Sequence, residues 1–508
     1  MRSNSRTYNA VLNSIYGISA SIITVILNFV VRLILVRTLG EEINGLNSLF
    51  QSIVSVMTLM ELGISSAMII HLYEPVKYKD SKMIAAIMAF YRRIYNWVAL
   101  SFTIVGLLVS LFLIDKLVTS SIPLNTVRIY FLIFIASFIL NYLTYYKRSL
   151  IYAEQKNRIN IGVSAACEVL FRGLQIVSLL FLKDYNVFLV LLIAEKVTGN
   201  IICQLYVDKH YPFLRHNRAV ITSDKKAAIF NTVKPLMVNQ TATVVQNSSA
   251  SILISILLGN VSIVGYYGVY QMVIGVIQLI FSQLGGSFTT SFGNLAVDGD
   301  RASMEAVYRN TSFLFSFIAC LCGAIFIACI DDFVYLFFGP NFVLSPLSVI
   351  FLTMSMLVSL FSVPIISIQN AMGLHRFDAK VMVIQAIIAL ILGYLLGLFC
   401  GMPGILFGIL LPMIVLTVFR KGIVISHIAF GMEKSVFVKQ VLLYTIQAFI
   451  VVGITYALCL LIRMNPSFLS ITVKFIVSVL VSLSLLILFS MRKKEFVWMT
   501  SFVKNWKK

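Results

Sequence analysis

The chain has 508 residues, 59% of them hydrophobic and 12% charged, with mean hydropathy +0.94 and a formal net charge of +20. A soluble globule of this composition would expose very large apolar patches, so the solvent is lipid. The positive charge does not indicate nucleic acid, because no basic helix with interleaved aromatics stands outside the apolar runs and no zinc-finger spacing occurs.

Apolar runs of about twenty residues recur along the chain, each long enough to cross roughly 30 Å of hydrocarbon. They predict an all-α polytopic membrane protein with about 14 transmembrane helices. The spans centre near residues 24, 60, 105, 137, 172, 196, 245, 275, 319, 356, 389, 411, 450 and 480. Gly275, Pro364 and Pro412 interrupt three of them, which leaves twelve or thirteen as the competing counts.

The first span follows Arg2 and Arg6, a pattern shared with secretory signals. It runs about 26 residues with no small-residue cleavage site before the charged turn at Arg37 to Glu42, so it is expected to stay as a span. One helical face carries Ser14, Gly17, Ser21, Thr24, Asn28 and Arg32, ahead of Leu39-Gly40. The pattern recurs 219 positions later as Gln240, Thr243, Asn247 and Ser251, ahead of Leu258-Gly259. At an offset of 220, Gly45 to Gln51 then aligns with Gly265 to Gln271, and Asp80 with Asp300.

Six spans separate the two copies, so both have one orientation and a symmetry axis along the membrane normal is expected. The expected organisation is two pseudo-symmetric six-helix lobes, residues 1–222 and 223–430, followed by two further helices and a basic tail over 431–508. The join, Asp208 to Lys226, reads either as a linker between rocking halves or as a solvated topological anchor. Lys and Arg alternate from side to side. One set of loops holds Lys77 to Lys82, Lys147 to Arg158, Lys209 to Lys234, Arg420 to Lys439 and the tail from Arg492, while the other set has few, such as Lys116, Lys183 and Arg463. Both termini are therefore expected on the cytoplasmic side of a cell membrane.

Ionisable groups within spans are candidates for function, since each disfavours insertion by roughly 2.5–3.5 kcal/mol. Arg32 suits a phosphate-bearing headgroup, because its planar guanidinium forms paired hydrogen bonds; the competing reading is snorkelling to the nearby outer interface. Glu61, beside Gly63, either pairs with a cavity arginine or takes up a proton. Glu168 and Arg172, four apart, are placed to form an intrahelical ion pair. Glu195 and Lys196 point about 100° apart, so at least one faces the interior. In the second half the stripe is neutral, with Gln240 and Asn247 and then Gln271, Gln278, Gln283 and Gln369, residues suited to sugar hydroxyls or to interhelical contacts. The charge asymmetry assigns an anionic part of a cargo to the first lobe and a neutral sugar part to both. The candidate cavity-lining set is Asn28, Arg32, Arg37, Glu61, Arg172, Lys196, Gln240, Asn247 and Gln271.

No catalytic residues, metal or cofactor are expected. A Walker loop is lacking, and His71, His210, His216, His375 and His427 lie in loops or at span ends. The seven cysteines fall within or at the ends of apolar spans, where Cys acts as a small hydrophobe, and Cys320-x-Cys322 lacks the usual two-residue spacer.

The segment Arg32-x4-Arg37-Thr38-Leu39-Gly40-x4-Gly45-Leu46-Asn47, followed by Glu61-Leu62-Gly63-Ile64 and Leu72-Tyr73-Glu74-Pro75, resembles Gram-positive polysaccharide flippases of the multidrug/oligosaccharidyl-lipid/polysaccharide exporter superfamily. Gly265-Tyr-Tyr-Gly-x-Tyr-Gln271 is similar to the second-half signature of that group. The resemblance implies twelve core helices plus two peripheral ones, alternating access, and an undecaprenyl-diphosphate-linked oligosaccharide as cargo for capsule or exopolysaccharide synthesis. It also implies a cationic cavity supplied by Arg32, Arg37, Arg172 and Lys196, a chain that works as a monomer, and a polysaccharide polymerase and glycosyltransferases as functional neighbours. Two alternatives stay open: a cation-coupled multidrug or small-solute antiporter of the same superfamily, and a membrane glycan polymerase or ligase, although the long outer loop usual in the latter is missing.

Overall fold

The computed structural model describes residues 2–61, 63–215, 221–377 and 379–505. Residues 1–19 and a number of other helical positions, Gln240, Thr243 and Asn247 among them, have side chains outside the described set. All regular structure among the described residues is helical. The chain divides into two compact units, Met1–Gly265 and Tyr266–Lys508.

The first unit is built from α1 (Arg2–Leu39), α2 (Glu41–Met57), α3 (Ile64–Tyr78), α4 (Ser81–Leu108), α5 (Ile114–Leu117), α6 (Leu124–Tyr145), α7 (Arg148–Ala153), α8 (Asn157–Phe181), α9 (Tyr185–His210) and α10 (Ser223–Leu258). It ends in the first turn of α11 (Val261–Asp298). Helix α1 packs on α8, α8 and α6 pack on α9, α4 packs on α6, and α10 packs on α2 and α3. Beyond α11 the second unit continues with α12 (Arg301–Phe338), α13 (Pro346–Phe361), α14 (Val363–Met372), α15 (Ala379–Pro412), α16 (Gly422–Phe430), α17 (Lys434–Leu461), α18 (Phe468–Ser490) and α19 (Lys494–Asn505). Its centre is α12, which packs against α13, α17 and α18. Small residues on α12, Ala319, Cys320 and Ala324, are fully buried and let these neighbours approach.

Eleven segments among the described residues are long and apolar enough to cross a membrane. Two local features, and the partial description of a third span, account for the difference from fourteen. The span near residue 60 is split, because α2 ends at Met57, a 3-10 turn covers Thr58–Met60, and Gly63 adopts φ 81° before α3 begins. Of the span near 245, the described residues include the apolar stretch Val244–Leu258. The spans near 389 and 411 form one segment, Lys380–Phe430, with a reversal at Gly401 (φ 63°, ψ −140°). There the two arms touch backbone to backbone: a Cβ on Gly404 would lie 2.1 Å from the Leu396 carbonyl oxygen, and one on Gly408 2.5 Å from the Gly393 nitrogen. Outward-facing Phe181, Phe399 and Leu461 are 80%, 84% and 76% exposed, an apolar surface suited to acyl chains and not to water.

The sequence repeat has local structural counterparts. Asp80 caps α4 by accepting from the Met83 N–H, and Asp300 caps α12 by accepting from the Ser303 N–H. Gly40 after α1 and Gly259 after α10 both take positive φ (88° and 59°), as helix exits require. Within the first unit, the matching glycines Gly45 and Gly265 meet each other: a Cβ on Gly265 would sit 2.9 Å from the Gly45 nitrogen, and one on Gly45 2.1 Å from the Val261 carbonyl oxygen.

Candidate functional site

The polar stripe on α1 lies between two extremes of environment. Ser21, Thr24, Asn28 and Arg32 are half-buried, while Ile22, Ile23 and Ile26 on another face of the helix are exposed. The helical period thus separates a polar, protein-facing edge from an apolar, outward one.

At the end of this stripe Arg32 reaches across to α2 and to the start of α11. Its Nε donates to Asn44 Oδ1 at 3.0 Å, and its Nη2 donates to Ser48 Oγ at 2.8 Å and to the Gly265 carbonyl at 3.3 Å. The fork of the guanidinium serves three acceptors that a lysine ammonium could not reach from one position. Asn44 and Ser48 are four apart on an amphipathic helix, which presents both toward α1.

Deeper along α1, Thr24 Oγ1 donates to Glu168 Oε2 at 2.6 Å. Glu168 opens an ion network between α8 and α9. Arg172 Nε lies 4.0 Å from Glu168 Oε1 and 3.9 Å from Glu195 Oε2, and Lys196 Nζ lies 3.1 Å from Glu195 Oε1. Arg172 also donates to Gln175 Oε1 at 2.9 Å, and Gln175 passes the chain on to the Phe188 carbonyl at 3.1 Å. Glu195 is buried and Lys196 is 44% exposed at its side chain, so the pair divides between interior and periphery. Two carboxylates and two cations give the network zero formal charge. The 3.9 and 4.0 Å separations around Arg172 are longer than charge-assisted hydrogen bonds of about 2.7–2.9 Å.

Glu61 occupies the break between α2 and α3, where Tyr95 of α4 donates to its Oε1 at 3.1 Å. Among the described residues it makes no salt bridge. Arg37 is exposed at the end of α1. In the second unit, Gln271 donates to Tyr267 Oη at 2.8 Å, one helical turn back, and Gln278 donates to Ser359 Oγ at 3.1 Å. The side chains of Gln240 and Asn247 lie outside the described residues. The second unit also has an apolar, partly open cavity of about 220 Å³ lined by Met354, Leu357, Phe361, Ile414, Phe449 and Tyr456.

The structure therefore joins Arg172 and Lys196 through one acid, Glu195, and joins that network to α1 through Thr24. Arg32 is held separately, by α2 and the start of α11. Sequence reasoning did not single out Asn44, Ser48, Gln175 or Tyr95. The available signal was their polarity within apolar helices; their partners lie 12, 16, 13 and 34 positions away, beyond any helical period. No group of His, Cys, Asp or Glu suited to a metal ion occurs among the described residues.

The family described as "Polysaccharide biosynthesis protein" matches residues 10–288. Among curated proteins, none matches significantly. Among solved structures, the fold is similar to "Lipid II flippase MurJ, inward closed conformation", with TM-score 0.68 and 14% identity over 94% of this chain and 98% of that one. It is also similar to an inward-facing multidrug resistance MATE family transporter of the MOP superfamily, with TM-score 0.63 and 13% identity over 81% and 95% of the two chains. A point mutant of the Vibrio cholerae MATE transporter VcmN gives TM-score 0.54 at 12% identity over 84% and 94%. At these identities the likeness establishes a polytopic membrane fold shared with those transporters.

Proposed function

We propose that this chain, which belongs to the polysaccharide biosynthesis protein family, is a flippase that carries undecaprenyl-diphosphate-linked oligosaccharide repeat units across the cytoplasmic membrane by alternating access. The observation that carries the reading is a coincidence of location. The family match over residues 10–288 contains all of α1, α8 and α9 that builds the polar stripe and the ion network. A chain dominated by lipid-facing surface has little structural use for so many ionised side chains in its interior, and a headgroup pathway supplies one.

In this reading the diphosphate exchanges with Glu168 and Glu195 for the Arg172 guanidinium, and the neutral overall charge of the network keeps the site from trapping its cargo. Sugar hydroxyls meet the amides and hydroxyls that line the helices, including Asn28 in the first expected lobe and Gln271 in the second, with Gln240 and Asn247 assigned to the same path. Glu61, with a phenol partner and a proton to take up, is the group suited to couple transport to a proton gradient. The apolar cavity beside α17 suits a segment of hydrocarbon chain, so that the polyprenyl tail stays in an apolar environment while the head crosses. The lobes of this mechanism are residues 1–222 and 223–430, with 431–508 as an appendage. Capsular or exopolysaccharide synthesis is the destination that the cargo implies, with a polymerase and glycosyltransferases acting before and after it.

Deletion of the gene, followed by mass analysis of lipid-linked intermediates, tests the reading. Completed repeat units on the inner leaflet are expected to accumulate and to clear when the native chain is restored. Normal lipid-linked pools together with lost export of cationic drugs would overturn it in favour of the antiporter. Unpolymerised units on the outer leaflet would do so in favour of the polymerase.

A further inference from the structure

Helix α4 and its continuation run from Ser81 to Leu117 as one 37-residue segment. Between Arg93 and Asp115 no residue is charged. Those 21 residues, 94–114, rise about 32 Å, which matches the hydrocarbon thickness of roughly 30 Å. Asp115 and Lys116 therefore mark one interface, and Arg92 and Arg93 mark the other, on the side that the loop charges assign to the cytoplasm. Trp97 lies one turn inside Arg93 and is 68% exposed, the depth and environment at which indole rings collect in bilayers.

At this depth the two arginines open onto a cavity of about 620 Å³, lined also by Asn96, Tyr146, Lys147 and Asp208. Lys147 is held by Asp208 at 2.6 Å, and both side chains are largely buried. Arg92 and Arg93 are exposed, and among the described residues neither forms a salt bridge. Among the described residues that line it, three cations and one carboxylate give a formal charge of +2. The cavity is separate from the ion network on α8 and α9: Asp208 follows Lys196 by 12 positions on α9, or about 18 Å along the helix.

We propose that this cavity binds the phosphate headgroup of an anionic lipid of the adjoining leaflet. Two neighbouring guanidinium forks, with the Asn96 amide one turn further along the helix, offer the planar, paired donors that phosphate oxygens accept. A soluble phosphate ester would present the same oxygens, but the surface leading away from the cavity favours the lipid. Arg93, Trp97, Leu100 and Ile104 follow at i, i+4, i+7 and i+11, one face of α4, and the last three are all exposed. A headgroup on Arg93 thus has its acyl chains laid along an apolar stripe that faces outward. The site holds a resident lipid beside the helix bundle and does not depend on the identity of the cargo.

The test is native mass spectrometry of the purified full chain with added phosphatidylglycerol or phosphatidylcholine, and separately with inorganic phosphate. The native chain is expected to retain phosphatidylglycerol in preference to phosphatidylcholine, and Arg92→Gln with Arg93→Gln should lower that preference about tenfold or more. The pair Arg92→Lys and Arg93→Lys, which keeps charge but not the fork, should recover part of it, and Arg463→Gln at the opposite interface should change nothing. An unchanged preference in the glutamine pair, with both variants folded by thermal melting, overturns the site. Displacement of the retained lipid by millimolar inorganic phosphate overturns the lipid as its ligand.

Discussion

The two units use polar groups in different ways. In the first, charges meet in the interior: Arg172 stands between Glu168 and Glu195, Lys196 joins them, and Arg32 is shared among three acceptors. In the second, the polar contacts between helices are mostly neutral, such as Gln278 with Ser359 and Thr417 with Gln385 at 2.8 Å. Its ion pair Lys474–Asp332, at 2.8 Å and joined by Ser470, fastens α18 to α12. Both units thus hold buried ions, but the first links four of them in one network, while the second unit's Lys474–Asp332 pair stands beside neutral contacts between helices.

The largest expected effects are at glycines, where the space at each position decides the sign. Gly45→Leu drives a side chain into the Val261 backbone, so a destabilisation of about 3 kcal/mol or more and loss of monodisperse protein in size-exclusion chromatography are expected. Gly275→Ala in the second unit meets nothing within 4 Å and should instead stabilise by about 0.5–1 kcal/mol in thermal melts.

Next in size is the loss of a shared cation. Arg172→Ala leaves Glu168 and Glu195 without their common partner and should destabilise by about 3 kcal/mol, with partial recovery in the double variant Arg172→Ala/Glu195→Gln. Gln278→Ala removes one neutral bond and should cost about 1 kcal/mol. Equal losses in denaturant titrations would erase the distinction between an ionised and a neutral interior.

Arg32→Lys tests geometry apart from charge. The ammonium cannot hold Asn44, Ser48 and the Gly265 carbonyl together, so export should fall about tenfold or more while the protein remains folded, as read from lipid-linked pools in the complemented deletion strain. The smallest effects belong to the matching caps, where the units should behave alike. Asp80→Ala and Asp300→Ala each remove one side-chain acceptor and should lower the melting temperature by similar small amounts. The hydroxyl and the backbone N–H of Ser303 hold the Asp300 carboxyl below the usual aspartate range. Its cap contribution is therefore complete above about pH 3.9 and disappears as pH falls through the depressed value, which melts of D300A against the native chain across acidic pH will show.

Much of the architecture was legible because a bilayer permits few solutions. Twenty apolar residues in a row must be helical when no water can satisfy the backbone; the break before Gly63, inside the span expected near residue 60, was not read. The repeat was legible for the same reason, since a capping aspartate and a helix-ending glycine act within one turn of chain. Glu168 with Arg172 was readable from a spacing of four. Glu195 as the second partner of Arg172 was not, because it lies on a different helix. Nor was the pocket at Arg92 and Arg93, whose walls come from α4, the end of α6, α9 and the turn that follows.

The sequence by itself determined the solvent of this protein, its helical character and which faces are polar, because those properties depend on hydropathy and on hydrogen bonds a few residues long. Only the tertiary structure decided which charges are compensated and which remain available. Coulomb partners are chosen by distance in space, and residues 16 to 233 positions apart in the chain are brought within 4 Å of one another by helix packing alone.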